Sequence, residues 1–172
     1  MLNSSLNIVE RISEKIGAIT SWLAIILVIV VCYDVVARYL FNTSSVAIQE
    51  LEWHIFAVLF LLGATYTLKH DKHVRVDIFY SRMSIKNKAW INLLGVLFFL
   101  IPFCSIVFVT SLGFVANSFN VLESSPDPGG LPARYMLKAV LPLSFLFLLA
   151  QGIAIAIKSF LILFPSFKKA ES

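Results

Sequence analysis

The sequence predicts an all-α integral membrane protein of four transmembrane helices, both termini cytoplasmic, with short interfacial amphipathic segments. Three observations predict it. From Ala89 to Leu122 more than thirty residues pass without a charged side chain. Three further apolar runs, Ile16–Tyr33, Trp53–Leu68 and Ala139–Ile157, reach or approach the about 20 residues a helix needs to cross the hydrocarbon layer. Of 172 residues, 59% are hydrophobic and 14% charged, so crossings and short connections take up almost the whole chain. A single membrane domain over residues 1–172 is expected, with spans near 16–41, 46–68, 89–117 and 134–164.

The first element is Leu2–Lys15, where Leu6, Val9, Ile12 and Ile16 alternate at helical spacing with Glu10, Arg11, Glu14 and Lys15. That pattern predicts a short interfacial helix running into the first span. No small-x-small site follows the first apolar run, and Cys32 follows Val30-Val31. An uncleaved, unacylated anchor is therefore expected. The span continues through Asp34 and Arg38 to about Phe41, and Asn42-Thr43-Ser44-Ser45 forms a tight polar turn whose serines can cap the second span. The connection Lys69–Lys88 places Phe79, Tyr80 and Met83 opposite its Lys and Arg side chains, a strip suited to the inner leaflet. The third span would measure roughly 45 Å from Ala89 to Phe119 if unbroken, so it must tilt, break or project. Pro102 is expected to kink it. The fourth span starts after Pro132, contains Pro142 and stops near Phe164, before Pro165. No internal repeat relates the halves, which disfavours a self-contained inverted-repeat transporter.

Basic residues set the expected orientation. Arg11 and Lys15 precede the first span. The middle connection carries Lys69, Lys72, Arg75, Arg82, Lys86 and Lys88, and the tail carries Lys168 and Lys169. The first connection has none, and the third offers only Arg134 with Lys138 beyond it. Both termini and the middle loop are thus expected in the cytoplasm. The net charge of +4 belongs to these loops and does not signal nucleic acid.

Several charges fall at the outer membrane edge. Asp34 and Arg38 are four apart on one helical face, acid first, the favourable order for a pair. Glu50 and Glu52 lie near the start of the second span, where the helix dipole favours acids. Arg134 and Lys138 lie at the start of the fourth, where it disfavours them. One outer-leaflet network joining Asp34, Arg38, Glu50 or Glu52, and Arg134 or Lys138 is expected. Ionisable groups near a membrane are functional candidates; the competing reading is that these are hydrated edge residues holding helices together.

Catalytic chemistry finds no foothold. Cys32 and Cys104 sit in apolar runs without metal-ligand spacing. His54 adjoins Trp53 at the interface, and His70 and His73 flank Asp71 in a hydrated loop without a rigid third ligand. No facing histidines suggest haem, and no glycine-rich phosphate loop is present. Gln151 and Ser144 suit interhelical hydrogen bonds better than substrate. No enzymatic activity and no cofactor are expected in this chain.

Three stretches read together carry a family resemblance. The first is Asp34-Val35-Val36-Ala37-Arg38-Tyr39-Leu40-Phe41-Asn42, followed by Glu50-Leu51-Glu52-Trp53. The second is Leu62-Gly63-Ala64, with His73-Val74-Arg75-Val76-Asp77 after the span. The third is Gly129-Gly130-Leu131-Pro132, leading into Lys138 and Pro142. In this order, on four spans of this orientation, they resemble the small membrane subunit (DctQ-like) of tripartite ATP-independent periplasmic (TRAP) transporters, over nearly the whole chain.

The resemblance implies a scaffold and accessory role in sodium-coupled uptake of organic acids at a bacterial inner membrane. It implies two partners besides lipid: a large membrane subunit, which carries the substrate and sodium sites, and a periplasmic substrate-binding protein. Small residues would let the large subunit approach. Gly63, Ala64, Gly95, Gly113, Ala150, Gly152, Ala154 and Ala156 are candidates, with Gly152 and Ala156, four apart, ranked as the close-approach pair; they serve equally well within the bundle. For docking, the outward loop is the best candidate: Glu123, Ser124, Ser125, Asp127, Gly129, Gly130 and Leu131, shaped by Pro126, Pro128 and Pro132. The bland alternative is a plain re-entry loop. A rival class, a small stand-alone homo-oligomeric proton-coupled transporter, needs a charge deep in the bundle, which the sequence lacks.

Overall fold

The computed structural model describes residues 2–70, 80 and 83–165. Its helices are α1 (Leu2–Leu40), α2 (Val46–Lys69), α3 (Ile85–Gly95), α4 (Ile101–Asn120) and α5 (Arg134–Leu163). A π-helical turn, Val96–Leu100, joins α3 to α4 without a break. Four helices are therefore long and apolar enough to cross a membrane: Leu6–Leu40, Val46–Lys69, Ile85–Asn120 and Arg134–Leu163. No strand occurs among the described residues.

Leu2–Lys15 runs into the first span, and α1 is continuous from Leu2 to Leu40. Leu6, Ser13 and Ile16 are buried while Ile8, Arg11, Ile12, Glu14 and Lys15 are exposed, so one face of this stretch packs on the bundle. The strip expected around Phe79 lies mostly at positions 71–79 and 81–82, outside the described residues, as do His73–Asp77 and the basic tail. Within it, Tyr80 donates to Asn92 Oδ1 at 3.3 Å, and Ser84 caps α3 by accepting from the Asn87 N–H.

The third span neither breaks nor ends where expected. Pro102 has no N–H and would crowd the carbonyl four residues back. The wider π-turn just before it takes up that mismatch, a known device at helix irregularities. The span then runs 36 residues, roughly 54 Å at helical rise, which exceeds the hydrocarbon core.

Helix α5 touches every other helix, and α1 pairs with α2. Accordingly, 28% of the most apolar stretch of α5 is buried, against 11% to 17% in the other spans. Beside buried Leu6, Ile16, Leu68 and Val96, the interior is rich in small polar side chains. Ser13, Thr20, Thr65, Ser111, Ser118, Ser144, Gln151 and Ser159 are buried, while Phe98, Phe99, Phe103, Ile106 and Val109 face outward. This inverts the pattern of a soluble core and fits association in lipid, where close approach and hydrogen bonds replace hydrophobic burial. Scattered single hydroxyls leave the average apolar, so composition hid them.

Two glycines mark the tightest crossings. A methyl group at Gly152 would collide with Leu100 Cδ2 of the π-turn and lie 3.6 Å from Val96 Cγ1. A methyl at Gly17 would overlap the ring of Tyr66. Gly63, Gly95 and Gly113 have open space instead.

Candidate functional site: an anchored loop at one end of the bundle

The loop between α4 and α5 is fastened by a carboxylate from α2. Residue Leu122 ends α4 in the left-handed region (φ 46°), with the Glu123 N–H on the Ser118 carbonyl at 3.0 Å and the Leu122 N–H on Phe119 at 3.0 Å. That is the paired bonding of a helix C-terminal motif that usually takes glycine. Gly129 supplies a second left-handed turn (φ 79°), and Ala133 a third (φ 61°) just before α5. The loop closes on itself through the Ser125 N–H to the Leu131 carbonyl (3.1 Å) and the Arg134 N–H to the Glu123 carbonyl (2.9 Å).

Glu50, 4% exposed, sits under this loop. Its Oε1 accepts from Ser125 Oγ at 2.6 Å and Arg134 Nη2 at 3.0 Å, and its Oε2 accepts the Leu131 N–H at 2.6 Å. Charge-assisted bonds of this kind are short and strong. Gly130 is required by room, since a methyl there would strike Ser125 Oγ and lie 2.8 Å from Glu50 Oε2. Arg134 also lies over the Trp53 ring, 5.4 Å from its centroid. Beside this cluster, Glu123 pairs with Lys138 and accepts from Ser118 Oγ at 2.6 Å. Lys138 first, then Ser118, holds the Glu123 carboxyl below its ordinary range. Lys138 also covers the Phe114 ring at 4.2 Å.

The single expected network is therefore corrected to a cluster plus a separate pair. Glu50, Arg134, Lys138 and Glu123 come together, with the loop's hydroxyls and backbone as connectors. Asp34 pairs with Arg38 one helical turn on, as the spacing predicted. Among the described residues neither joins the cluster by a hydrogen bond or ion pair. Asp34 is 4% exposed and its Oδ1 has no hydrogen-bond partner among them; nor has the buried Glu52 Oε1. Glu52 points to no cation there because α2 turns Glu50, two residues earlier, toward α5.

The loop residues divide as well. Glu123, Ser125 and Leu131 are engaged internally, and Gly130 is packed between them. Ser124, Pro126, Asp127, Pro128 and Gly129 form the exposed tip. Glu123 is thus not a free acceptor. His54 donates through Nδ1 to the Glu50 carbonyl. It lines an almost wholly apolar cavity of about 380 Å³ between α1, α2 and α5, bordered by Leu23, Val58, Met136 and Val140. Such walls do not orient a polar solute.

The opposite end holds acid–base ties that the sequence did not suggest, together with an interhelical bond to Gln151 of the kind expected there. Lys69 Nζ donates to Glu14 Oε1 at 2.6 Å and to the Glu10 carbonyl at 3.0 Å, and His70 Nε2 lies 3.0 Å from Glu14. Glu10 pairs with Lys158. Ser13 of α1 donates to Gln151 Oε1 of α5 at 2.9 Å. Acids spaced four apart, Glu10 and Glu14, on a helix facing Lys69 and Lys158 were the available signal. Of the ranked pair, Gly152 is a close-approach point, but its neighbour is the chain's own π-turn; Ala156 is half-buried. Ser144 bonds within its helix, to the Leu141 carbonyl at 2.8 Å. Among the described residues, no three His, Cys, Asp or Glu side chains gather to hold a metal ion.

Four membrane-length helices, polar ties between them and a clamped loop define a small multi-pass membrane protein. Residues 27–161 match the family described as tripartite ATP-independent periplasmic transporters, DctQ component, and the chain belongs to that family. It is thus a transporter component, the small one, of a system that also comprises a large membrane subunit and a binding protein. A comparison with the curated proteins found no match.

Proposed function

We propose that the chain is the scaffold and accessory subunit of a sodium-coupled importer of organic acids in a bacterial inner membrane. It packs against the large transport subunit, which holds substrate and sodium, and helps dock the periplasmic binding protein. The excess of Lys and Arg in the middle connection and at the termini supports placing those parts in the cytoplasm. The clamped loop then faces the periplasm, where a fixed tip of Ser124, Pro126, Asp127, Pro128 and Gly129 suits a protein contact.

One observation carries this reading: the buried polar side chains with partners bind the chain's own helices and loop. Glu50 holds Ser125, Leu131 and Arg134, and Ser13 holds Gln151, while large apolar side chains cover the outward faces. Such faces suit burial against another subunit or lipid. A tagged copy purified in mild detergent should bring down the large subunit. Recovery of this chain alone, under conditions that preserve other membrane complexes, would count against the proposal.

A further inference from the structure

Where α1, α2 and α5 meet near the termini, a cavity of about 30 Å³ is lined by Val9, Ile12, Ser13, Thr65, Phe147 and Ala150. Thr65 is 1% exposed, and its Oγ1 has no hydrogen-bond partner among the described residues. A hydroxyl buried without a partner is costly, more so in lipid. The neighbouring threonine and serine positions behave differently. Thr67 donates to the Gly63 carbonyl one turn back, at 2.7 Å, and Thr20 to the Gly17 carbonyl at 2.9 Å. The hydroxyl of Thr65 forgoes that backbone bond, and Thr65 lines the cavity. Ser13, 1% exposed, lines it as well, and its one proton serves the Val9 carbonyl (3.0 Å) or Gln151 Oε1 (2.9 Å). Its oxygen lone pairs remain able to accept.

We infer that this cavity is a binding site for one ordered water molecule, which links α2 to the Ser13–Gln151 tie between α1 and α5. The space suffices for one water, which needs about 10–15 Å³. The water accepts from Thr65 Oγ1 and donates to Ser13 Oγ, with the Val9 carbonyl as a further acceptor. That meets the two to four partners a buried water requires. A metal cation is disfavoured, because the wall carries no carboxylate. The result is a three-helix polar junction in the half of the bundle remote from the clamped loop.

Methyl-labelled full-length chain in lipid nanodiscs, examined by water-to-protein magnetisation transfer, tests this. Long-lived water cross-peaks are expected at the Val9 and Ala150 methyls and should persist in Thr65→Ser. They should be lost in Thr65→Val, which keeps the shape and removes the hydroxyl, and in Ala150→Val, which fills the space. Absence of the cross-peaks in the unaltered chain overturns the inference. So does their full retention in Thr65→Val.

Discussion

Glu50 Oε2 accepts the backbone N–H of Leu131 at 2.6 Å, so a side chain of the second helix fixes the chain 81 residues later. The bond is to backbone, and it therefore sets the position of the loop whatever side chain stands at Leu131. With Ser125 and Arg134 on the other oxygen, one carboxylate determines where the exposed tip sits relative to α2 and α5.

Removing that carboxylate should free the loop. In Glu50→Ala, three donors lose their acceptor, and breaking a buried charge pair from one side is strongly unfavourable. Amide exchange at Leu131 and Arg134 should accelerate by about tenfold or more, the scale set by a lost charged hydrogen bond. Glu50→Gln should fall between, since it retains an acceptor but no charge. Binding of the periplasmic partner should weaken in the same order.

The two adjacent glycines should fail for different reasons. Gly130→Ala places a methyl against Ser125 and Glu50 and should disturb the clamp as Glu50→Ala does. Gly129→Ala meets no neighbour but adopts φ 79°, at a cost of roughly 1–2 kcal/mol for a residue with a side chain. Thermal unfolding and exchange at Leu131 separate them: both variants lose stability, and Gly130→Ala alone should lose the clamp.

The Ser13–Gln151 bond should be measurable as a coupling. A double-mutant cycle with Ser13→Ala and Gln151→Ala is expected to give about 0.5–1.5 kcal/mol, in the range found for hydrogen bonds between membrane helices. Steric trapping in bicelles measures it. Strict additivity would remove the bond from the account.

Packing contrasts are expected among the helix glycines. Gly17→Ala meets the Tyr66 ring and should cost about 1–3 kcal/mol. Gly113→Ala, with open space around it, should be neutral or gain up to about 1 kcal/mol from helix propensity. The same unfolding assay reads both.

Acid should loosen the Glu123–Lys138 contact. The carboxyl of Glu123 is held below its ordinary value of 4.5, so its contribution is complete above that pH. It is lost as pH falls through the lowered value, because the unfolded or detached form binds the proton first. Protection of the Arg134 amide, whose N–H bonds the Glu123 carbonyl, should therefore fall below about pH 4.5 once the intrinsic pH dependence of exchange is divided out. Glu123→Gln should make exchange there fast at neutral pH and remove this part of the pH dependence.

Most of the architecture was legible because it follows from length and polarity. Four runs without charge can only become four helices in lipid, and the Asp34–Arg38 pair follows from four-residue spacing. The clamp was half legible. Charge pattern and dipole pointed Glu50 toward Arg134, yet nothing local reveals that Ser125 and the Leu131 backbone complete it, for those contacts depend on how α2 and α5 pack. Glu52 was offered alongside Glu50 because sequence does not fix helix rotation. The π-turn was read only as a proline kink. The ties of Glu10 and Glu14 were missed because an alternating N-terminal pattern suits a membrane surface as well as a helix bundle.

The central claim is that this chain braces a transporter and moves no solute by itself. Proteoliposomes carrying this chain alone, the large subunit with it, or both with the binding protein, should be compared for sodium-driven accumulation of organic acid. The account predicts accumulation only in the complete set and none with this chain alone; accumulation by the isolated chain would contradict it.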